Sequence, residues 1–341
     1  MPQSASHAGH DDASDAPAPP HPHPHPHPHP QIAAYLDALK FERQLSPHTL
    51  ESYGRELAVL QRLGTQLAAG TDLTQLQVHH IRRMMAQLHG GGLSGRSIAR
   101  ALSAWRGWYK WLALREATVT ANPVDGVRAP KSPKKLPKAL SVEQAVALME
   151  QLPGDDAETI CDRAVNELFY SCGLRLSELV SLDLRHVKAG AYESASWLDL
   201  DAREVMVLGK GSKRRTVPVG SKAAEAIAAW LAVRPQLARP DAAPEDAHAL
   251  FLSPRGKRLA QRQIQTRMKQ NAIAAGVPAD VHPHVLRHSF ATHMLQSSGD
   301  LRAVQELLGH ASIASTQVYT SLDFQHLAKI YDQAHPRAKK K

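Results

Sequence analysis

Apolar residues recur at helical spacing along the early part of the chain. Ser46 and Pro47 have the order of an N-cap and a first-turn proline. The apolar positions that follow lie three or four residues apart: Leu50, Tyr53, Leu57 and Leu60. A second run starts after Ser94 and Gly95, and its apolar face carries Ile98, Leu102, Trp105, Tyr109 and Leu112. The pattern predicts an all-helical region over residues 31–118.

The pattern changes later in the chain, where short β-branched runs lie among helical ones. Ser141, with Gln144 three residues later, is a capping-box signal for a first helix. The runs SWLDLD, EVMVL and RRTVPV predict a small antiparallel β-sheet, and GKGSK between the last two predicts a hairpin turn. Helices are predicted at residues 162–172, 222–233, 261–275, 284–297, 301–308 and 323–333. The predicted fold class is therefore mainly α, with an α+β second domain.

Composition indicates where these regions begin and end. The start of the chain is low-complexity and closes with HPHPHPHPHP, and alternating proline predicts an extended, disordered arm. Residues 120–140 hold four prolines and five Lys or Arg residues, which is typical of a basic interdomain linker. The predicted order is an arm (1–30), a helical N-terminal domain (31–118), a linker (119–140), a second domain (141–335) and a basic tail (336–341).

The charge of the chain favours a polyanionic partner. The formal net charge is +9, and because residues 1–30 contain three aspartates and no Lys or Arg, the remaining residues carry +12. A surplus this large points to nucleic acid, with charge that serves only solubility as the alternative. The predicted helix after Ser94 carries four basic residues that fit either interpretation: Arg96, Arg100, Arg106 and Lys110.

Three further features bear on the compartment. The chain has only two cysteines and no unbroken apolar run near the ~18 residues that a membrane span needs. Its start, MPQSASHAGHDDASDAP, lacks the basic and apolar regions of a secretion signal. These features predict a cytoplasmic protein without a membrane span.

Four short stretches in the second domain carry candidate chemistry, and two of them present a cation at a turn. In CGLRLSEL, Gly173 ends one helix and Arg175 begins the next, where free backbone N–H groups favour an anion. The alternative is a surface pair between Arg175 and Glu178. In LGKGSKRR, the glycines beside Lys210 let a hairpin tip approach a ligand closely, although most lysines at such tips are only solvated.

The third stretch, HPHVLRHSFATH, is rich in histidine. His284 and Arg287 are three positions apart and share one face near a helix N-terminus. A zinc site built from His282, His284, His288 and His293 is the weaker interpretation, because no thiolate or carboxylate ligand set accompanies them and a guanidinium stands beside them.

The fourth stretch, LLGHASIASTQVYT, brings a tyrosine to this inventory. Gly309 ends a helix and turns His310 off its end, and Tyr319 follows on the next short helix. A tyrosine hydroxyl with a pKa near 10 is a poor nucleophile unless nearby cations stabilise the anionic charge of the reaction. Two arginines, two imidazoles and a lysine could do so around a phosphodiester. The set therefore suits phosphoryl transfer through a covalent phosphotyrosine, with no cofactor and no metal.

Five stretches together resemble the tyrosine recombinases of the phage integrase family, from about Gln31 to the C-terminus: GLRLSEL, LGKGSK, HPHVLRHSFATHML, LLGHASIASTQVYT and LDFQHLAKIYDQAHPRA. The resemblance implies that Tyr319 is the nucleophile, which attacks the scissile phosphate of DNA and leaves a 3′-phosphotyrosine with a free 5′-hydroxyl. It also implies that Lys210 protonates the departing 5′-oxygen. Relatives often have a glutamate where this chain has Arg214, which alters charge near the hairpin without touching a catalytic role.

The same resemblance implies roles for the other candidates. Arg175 and Arg287 would bind the non-bridging oxygens of the phosphate. His284 would take or orient the tyrosine proton, and His310 would hydrogen-bond the phosphate. Glu178 matches the acidic residue that supports the first arginine.

The resemblance further implies a C-shaped clamp in which a helical core-binding domain and a catalytic domain lie on opposite sides of duplex DNA. It implies a XerD-like recombinase as the partner in a heterotetramer that resolves chromosome or plasmid dimers at cell division. An apolar stripe on the last predicted helix would dock into the neighbouring protomer, or alternatively onto its own domain: Leu322, Phe324, Leu327 and Ile330.

Two other functions fit part of the pattern. A type IB topoisomerase would use nearly the same catalytic set, but the helical N-terminal domain and the form of the tail argue against it. A non-catalytic, architectural DNA-binding protein would be favoured by a missing catalytic residue, and the sequence has all of them.

Overall fold

The structure, a computed structural model, describes residues 29–67, 72–116, 119, 121–131, 139–209, 214–277, 280–309 and 321–338. The chain forms two compact units, residues 1–135 and residues 136–341. Most of the predicted arm, residues 1–28, lies outside the described residues. Among the helices that the structure describes, none has both the length and the apolar character needed to cross a membrane.

The described part of the first unit is helical, as its periodicity predicts. It contains α1 (Pro30–Phe41), α2 (Pro47–Leu67), a short 3-10 helix (Leu73–Gln75), α3 (Val78–Gly90) and α4 (Gly95–Ala113). The hydroxyl of Ser94 caps α4 by accepting a hydrogen bond from the Ser97 amide at 3.2 Å. The predicted apolar face of α4 is buried, and the Trp105 indole donates to the Glu56 carbonyl at 2.7 Å. Sequence periodicity therefore identified the core of this unit correctly.

Two of the four basic residues on α4 are engaged within this unit. Arg100 donates to the Glu56 carboxylate at 2.6 Å. The guanidinium of Arg106 donates to the backbone carbonyls of Val124 and Val127 at 3.3 and 3.1 Å. These contacts favour a structural role for Arg100 and Arg106 over contacts with a phosphate backbone.

The predicted linker is packed at both of its described ends. Val119, Val124 and Val127 are buried in the core of the first unit. Leu140 is buried in the core of the second unit, and its amide donates to the Ser289 hydroxyl at 2.8 Å. Residues 132–138 lie outside the described residues. The segment available to act as a linker is therefore shorter than its proline and lysine content indicates.

The second unit combines helices with two small sheets. Its described helices are α5 (Val142–Glu150), α6 (Ala157–Cys172), α7 (Leu176–Val180), α8 (Ser221–Val233), α9 (Pro244–Ala247), α10 (Gln261–Ala274), α11 (Pro283–Ser298), α12 (Leu301–Leu308) and α13 (Ser321–Ala334). The capping box of Ser141 and Gln144 is present at α5. Helix α6 begins five residues before the prediction, because the Asp156 carboxylate accepts from the amides of Glu158 and Thr159.

The sheets are more mixed than the sequence indicates. The strands are β1 (Leu182–Asp183), β2 (Lys188–Ala189), β3 (Tyr192–Glu193), β4 (Ser196–Asp199), β5 (Glu204–Leu208) and β6 (Arg214–Pro218). The larger sheet has the order β1-β4-β5-β6, in which β4, β5 and β6 are antiparallel as predicted. Strand β1 adds a parallel edge, and β2 with β3 forms a separate hairpin. Strands of two residues are too short to produce a recognisable period of two in the sequence.

The last helix docks on its own domain through its second half. Leu327 is buried in the core of the second unit and Ile330 packs against that core. The hydroxyls of Tyr331 and Ser171 are 2.6 Å apart, and His335 Nε2 is 3.0 Å from the Tyr170 carbonyl. Of the stripe predicted for this helix, Leu327 and Ile330 thus follow the alternative of docking onto the same chain. The side chains of Leu322 and Phe324 are outside the described residues.

The basic tail also begins later than composition indicates. Arg337 donates to the carboxylate of Glu150 at 2.9 Å and, through Nε, to Glu167 at 3.1 Å. The Ser221 hydroxyl donates to the Ala338 carbonyl at 2.9 Å. Residues 336–338 are therefore part of the packed second unit.

The turn at Gly173 generates a test of packing beside the site described below. Gly173 has φ +56°, and an added Cβ would lie 2.4 Å from Phe290 Cδ1. Gly190 has φ +59°, and a Cβ there would meet nothing within 4 Å. Gly190→Ala should lower the free energy of unfolding by only about 1 kcal/mol, the penalty for a side chain in the left-handed backbone region. Gly173→Ala should cost a further ~1–3 kcal/mol for overpacking, measured as the free energy of unfolding of the second unit in urea. Equal costs for the two variants would show that Phe290 moves aside freely.

Candidate active site

Arg175 stands where two helices of the second unit meet. The left-handed Gly173 ends α6, and Arg175 precedes the first residue of α7. Its amide donates to Glu178 Oε2 at 2.8 Å, and its Nη1 donates to Glu178 Oε1 at 2.7 Å. Glu178 is only 2% exposed. The pair is therefore not the surface pair of the alternative interpretation, because its carboxylate is buried.

A second arginine binds the same carboxylate. Arg215 on β6 donates from Nη1 to Glu178 Oε1 at 2.7 Å and from Nη2 to Glu178 Oε2 at 2.9 Å. Its Nε donates to the Leu307 carbonyl at 3.1 Å. Sequence reasoning missed Arg215, although the alternation of β6 places it on the same face as the buried Val217. A charged residue on the inward face of a strand needs a buried partner, and that was the available signal.

The surroundings of Glu178 keep it ionised. Burial alone would raise its pKa, but the hydrogen bonds and charge of Arg215, followed by those of Arg175, outweigh burial and lower the pKa below its usual value. Glu178 is therefore an anion throughout the neutral range, and both arginines are held by a fixed negative charge.

Arg287 enters the site from α11 and is buried. Its Nη1 donates to the Gly173 carbonyl, and its Nη2 donates to the Leu308 carbonyl at 2.7 Å. Burial lowers the pKa of Arg287 to about 10, and the nearby charge of Arg175 lowers it as well. The guanidinium stays protonated at neutral pH, although removal from water makes its charge costly. Such a group is stabilised by an anion that reaches it.

The ends of two helices supply the carbonyls that these arginines contact. Gly173 ends α6 and Gly309, with φ +63°, ends α12. Arg175 Nη2 donates to the Gly309 carbonyl at 3.1 Å. The C-terminus of a helix carries partial negative charge, which favours a guanidinium there. The two predicted glycine turns therefore bring Arg175 and Arg287 to the same two helix ends.

His284 lies on α11, one turn before Arg287, and is exposed. Its ring centre is 6.0 Å from that of His282. His293, one of the ligands considered for zinc, instead has its Nδ1 2.8 Å from the Tyr170 hydroxyl in the buried core. The four histidines thus do not form one cluster, since His293 is committed to the core.

The other three predicted site residues, Lys210, His310 and Tyr319, lie outside the described residues. Lys210 belongs to the segment between β5 and β6. His310 directly follows Gly309, whose carbonyl Arg175 contacts. The structure therefore brings together Arg175, Glu178 and Arg287, and it describes the chain on both sides of the remaining three.

The arrangement can bind an anion. Arg175 and Arg215 bond one carboxylate, and the charge of Arg287 lies near it, which leaves an excess of two positive charges in a largely buried cluster. Planar guanidinium groups match the oxygens of a phosphate. Charges held in place before the substrate arrives stabilise a transition state without rearrangement.

Comparison with known proteins agrees with this chemistry. The phage integrase family model matches residues 138–326, and the model of the phage integrase N-terminal SAM-like domain matches residues 32–116. Tyrosine recombinase XerC of Ralstonia pickettii (strain 12J) is 87% identical over 341 residues, which is 100% of both chains. Tyrosine recombinase XerC of Pseudomonas aeruginosa (strain PAO1) is 50% identical over 308 residues, 90% of this chain and 95% of that one.

Solved structures share the fold. The XerH site-specific recombinase bound to palindromic difH substrate has a TM-score of 0.61 at 21% identity, covering 88% of this chain and 84% of that chain. The Tn1549 transposon integrase in complex with circular intermediate DNA has a TM-score of 0.64 at 16% identity, covering 87% of this chain and 98% of that chain. The family-model matches and the identity to the XerC proteins show that the chain belongs to the phage integrase family and is a site-specific tyrosine recombinase.

Proposed function

We propose that the chain cleaves and rejoins DNA strands through a covalent 3′-phosphotyrosine at Tyr319, with Arg175 and Arg287 bound to the scissile phosphate. The observation that carries this proposal is the excess positive charge held by Arg175, Arg215 and Arg287 around the single carboxylate of Glu178. The XerH structure with its difH substrate and the Tn1549 integrase structure with circular intermediate DNA support DNA as the substrate.

The reaction exchanges one phosphodiester bond for another. The Tyr319 oxygen forms a bond to phosphorus, and the bond from phosphorus to the 5′-oxygen breaks. The tyrosine proton passes to His284, and Lys210 gives a proton to the departing 5′-oxygen. Arg175, Arg287 and His310 bind the non-bridging oxygens, where negative charge increases in the transition state. Reversal of these steps with a new 5′-hydroxyl joins the exchanged strand.

The described tyrosines of the second unit support Tyr319 by elimination. The hydroxyls of Tyr170, Tyr192 and Tyr331 are bonded to His293, Asp183 and Ser171 respectively. Burial raises the pKa of Tyr170 and of Tyr331, and burial with the Asp183 hydrogen bond raises the pKa of Tyr192 to about 12. A higher pKa makes the attacking tyrosinate harder to form. Among the tyrosines that the structure describes in this unit, each hydroxyl is bonded within the protein, which leaves Tyr319 as the candidate nucleophile.

Tyr319→Phe should bind duplex DNA with unchanged affinity and form no covalent adduct, because it loses only the attacking oxygen. A duplex nicked near the recombination site traps the adduct, which denaturing gels resolve. The matched control is Tyr331→Phe, which removes the hydroxyl bonded to Ser171. That variant should retain the adduct and lose roughly 1 kcal/mol of stability. An adduct that persists in Tyr319→Phe and disappears in Tyr331→Phe would reassign the nucleophile.

Lys210→Ala should slow adduct formation by on the order of 10²- to 10⁴-fold, the range for a lost proton donor. The loss should largely vanish on DNA whose bridging 5′-oxygen at the scissile phosphate is replaced by sulfur, because a thiolate leaves without a proton. Lys213→Ala, from the same predicted hairpin tip, is the control and should show no selective recovery on the sulfur substrate. Equal slowing of both substrates by Lys210→Ala would assign Lys210 to phosphate binding instead.

We infer that the chain acts with a XerD-like recombinase in a heterotetramer and resolves chromosome or plasmid dimers at cell division. The similarity to proteins named XerC supports this inference. The described half of α13 packs on its own domain.

Strand exchange between two duplexes carrying the recombination site should therefore require both proteins. In a mixture with the XerD-like partner, Tyr319→Phe of this chain should abolish adducts on one strand of each duplex and leave the partner's adducts on the other. Complete exchange by this chain alone would contradict the heterotetramer. Relaxation of supercoils without exchange would instead support the topoisomerase alternative.

A further inference from the structure

Arg215 joins three parts of the second unit through one buried guanidinium. It stands on β6, binds Glu178 on α7 with both Nη atoms, and donates from Nε to the carbonyl of Leu307 near the end of α12. Its side chain is 7% exposed. Three of its five N–H groups are bonded within the protein and the side chain is buried, so Arg215 is placed to support other residues rather than to bind DNA.

The carboxylate of Glu178 needs this second cation. It is buried and accepts four hydrogen bonds, two from Arg175 and two from Arg215. Without Arg215, Arg175 alone would have to compensate a buried negative charge. Breaking a buried ion cluster by removing one partner is strongly unfavourable, because the remaining charge loses its compensation. The guanidinium of Arg175 would then bond Glu178 with all the N–H groups that can reach it, and it would no longer be available to bind a phosphate.

Arg215 also packs against the turn that leads to the His310 segment. An added Cβ at Gly309 would lie 2.9 Å from Arg215 Cδ and 3.0 Å from its Nε. The close approach shows that the aliphatic part of Arg215 lies directly on the Gly309 backbone. The same residue therefore fixes the support of Arg175 and the end of α12.

We propose that Arg215 is a positioning residue of the recombination reaction, which compensates Glu178 so that Arg175 can bind the scissile phosphate and which holds the end of α12 in place. This inference rests on the proposed function, since it assigns Arg175 to that phosphate. It assigns no contact between Arg215 and DNA.

Three variants test the proposal. Arg215→Met keeps the length of the side chain and removes its charge and hydrogen bonds. Arg215→Lys keeps the charge and loses the paired geometry. Arg214→Met is the matched control, because Arg214 is the exposed neighbour that lies over the Trp197 ring and has no bond to Glu178 in the described structure.

Arg215→Met should slow adduct formation on the nicked duplex by about 10²-fold, the scale of a small misplacement of a catalytic group. Its dissociation constant for DNA should stay within about threefold of the unmodified protein, because the lost residue makes no DNA contact. Equal losses in binding and in adduct formation would overturn the proposal, and so would an unchanged rate.

The pH profile separates positioning from general damage. In the unmodified protein the pKa of Glu178 is held low, so adduct formation should show no loss from this group near neutral pH. In Arg215→Met burial is less compensated and raises that pKa, so Glu178 takes up a proton as pH decreases through the neutral range. The neutral carboxyl group no longer captures Arg175, so the slowed adduct formation of this variant should recover in the same pH range. Arg215→Lys and Arg214→Met retain the relevant charge and should not acquire this dependence. The same acid dependence in Arg214→Met would contradict the assignment to Arg215.

Glu178→Gln tests whether Arg215 acts through Glu178. The amide removes the buried negative charge and keeps one hydrogen-bond acceptor. The double variant of Arg215→Met with Glu178→Gln should be no slower than Arg215→Met alone, and its rate should not depend on pH in the neutral range. Multiplied losses in the double variant would show that the two residues act independently and would overturn the proposal.

Melting temperatures test the same ion cluster without any reaction. Because the folded-state pKa of Glu178 is low in the unmodified protein, its stabilisation is present above the unfolded-state pKa and is lost as pH falls through the folded-state value. In Arg215→Met the folded-state pKa is raised, so the variant should be most destabilised at neutral pH and approach the unmodified protein in mild acid. A difference in melting temperature that stays constant across pH would overturn the proposal.

If none of the proteins forms an adduct, the proposed function fails. The melting temperatures still decide whether Arg215 compensates the charge of Glu178.

Discussion

Glu178 is a buried carboxylate held by two arginines from different elements, one at the start of α7 and one on β6. The position of Arg175 depends on this ion cluster, because its amide and its guanidinium both bond the same side chain. In water such an interaction would be weak, since exposed ion pairs contribute little. Burial makes this interaction strong enough to fix the position of Arg175, because a carboxylate removed from solvent must have its hydrogen bonds supplied by the protein. The strand, the helix and the charge are therefore fixed relative to one another.

Helix ends provide the second constraint on the site. The carbonyls of Gly173, Leu308 and Gly309 accept hydrogen bonds from Arg175 or Arg287. These carbonyls have no partner inside their own helices, so a guanidinium satisfies them and complements the helix dipole. Arginine suits this position better than lysine because its planar group can bond a carbonyl and still present other N–H groups. Two helix ends and one carboxylate thus orient the cations before any substrate is bound.

Local sequence rules found the parts of this arrangement that depend on local interactions. Glycine at a helix end predicted the turns at Gly173 and Gly309, and helical spacing predicted the faces of α4 and the extent of α12. Contacts between distant segments were not accessible to the same rules. Arg215 meets Glu178 across 37 positions and Tyr331 meets Ser171 across 160, and nothing in either local pattern specifies the partner. Parallel strand β1 and the docked ends of the linker were missed for the same reason, because tertiary packing rather than periodicity determines them.

The excess of positive charge also relates the stability of the fold to its function. Arg287 is buried beside Arg175 and Arg215, and its lowered pKa shows that the folded protein holds this charge at a cost. A protein selected only for stability would replace such a group with an apolar residue, since buried ion clusters are often less stable than well-packed hydrophobic ones. In the proposed reaction, a phosphate that enters the site would supply the missing negative charge and offset the cost. The unfavourable burial of these arginines would then favour binding of an anion, and most strongly of the transition state, in which the charge on the phosphate oxygens is greatest.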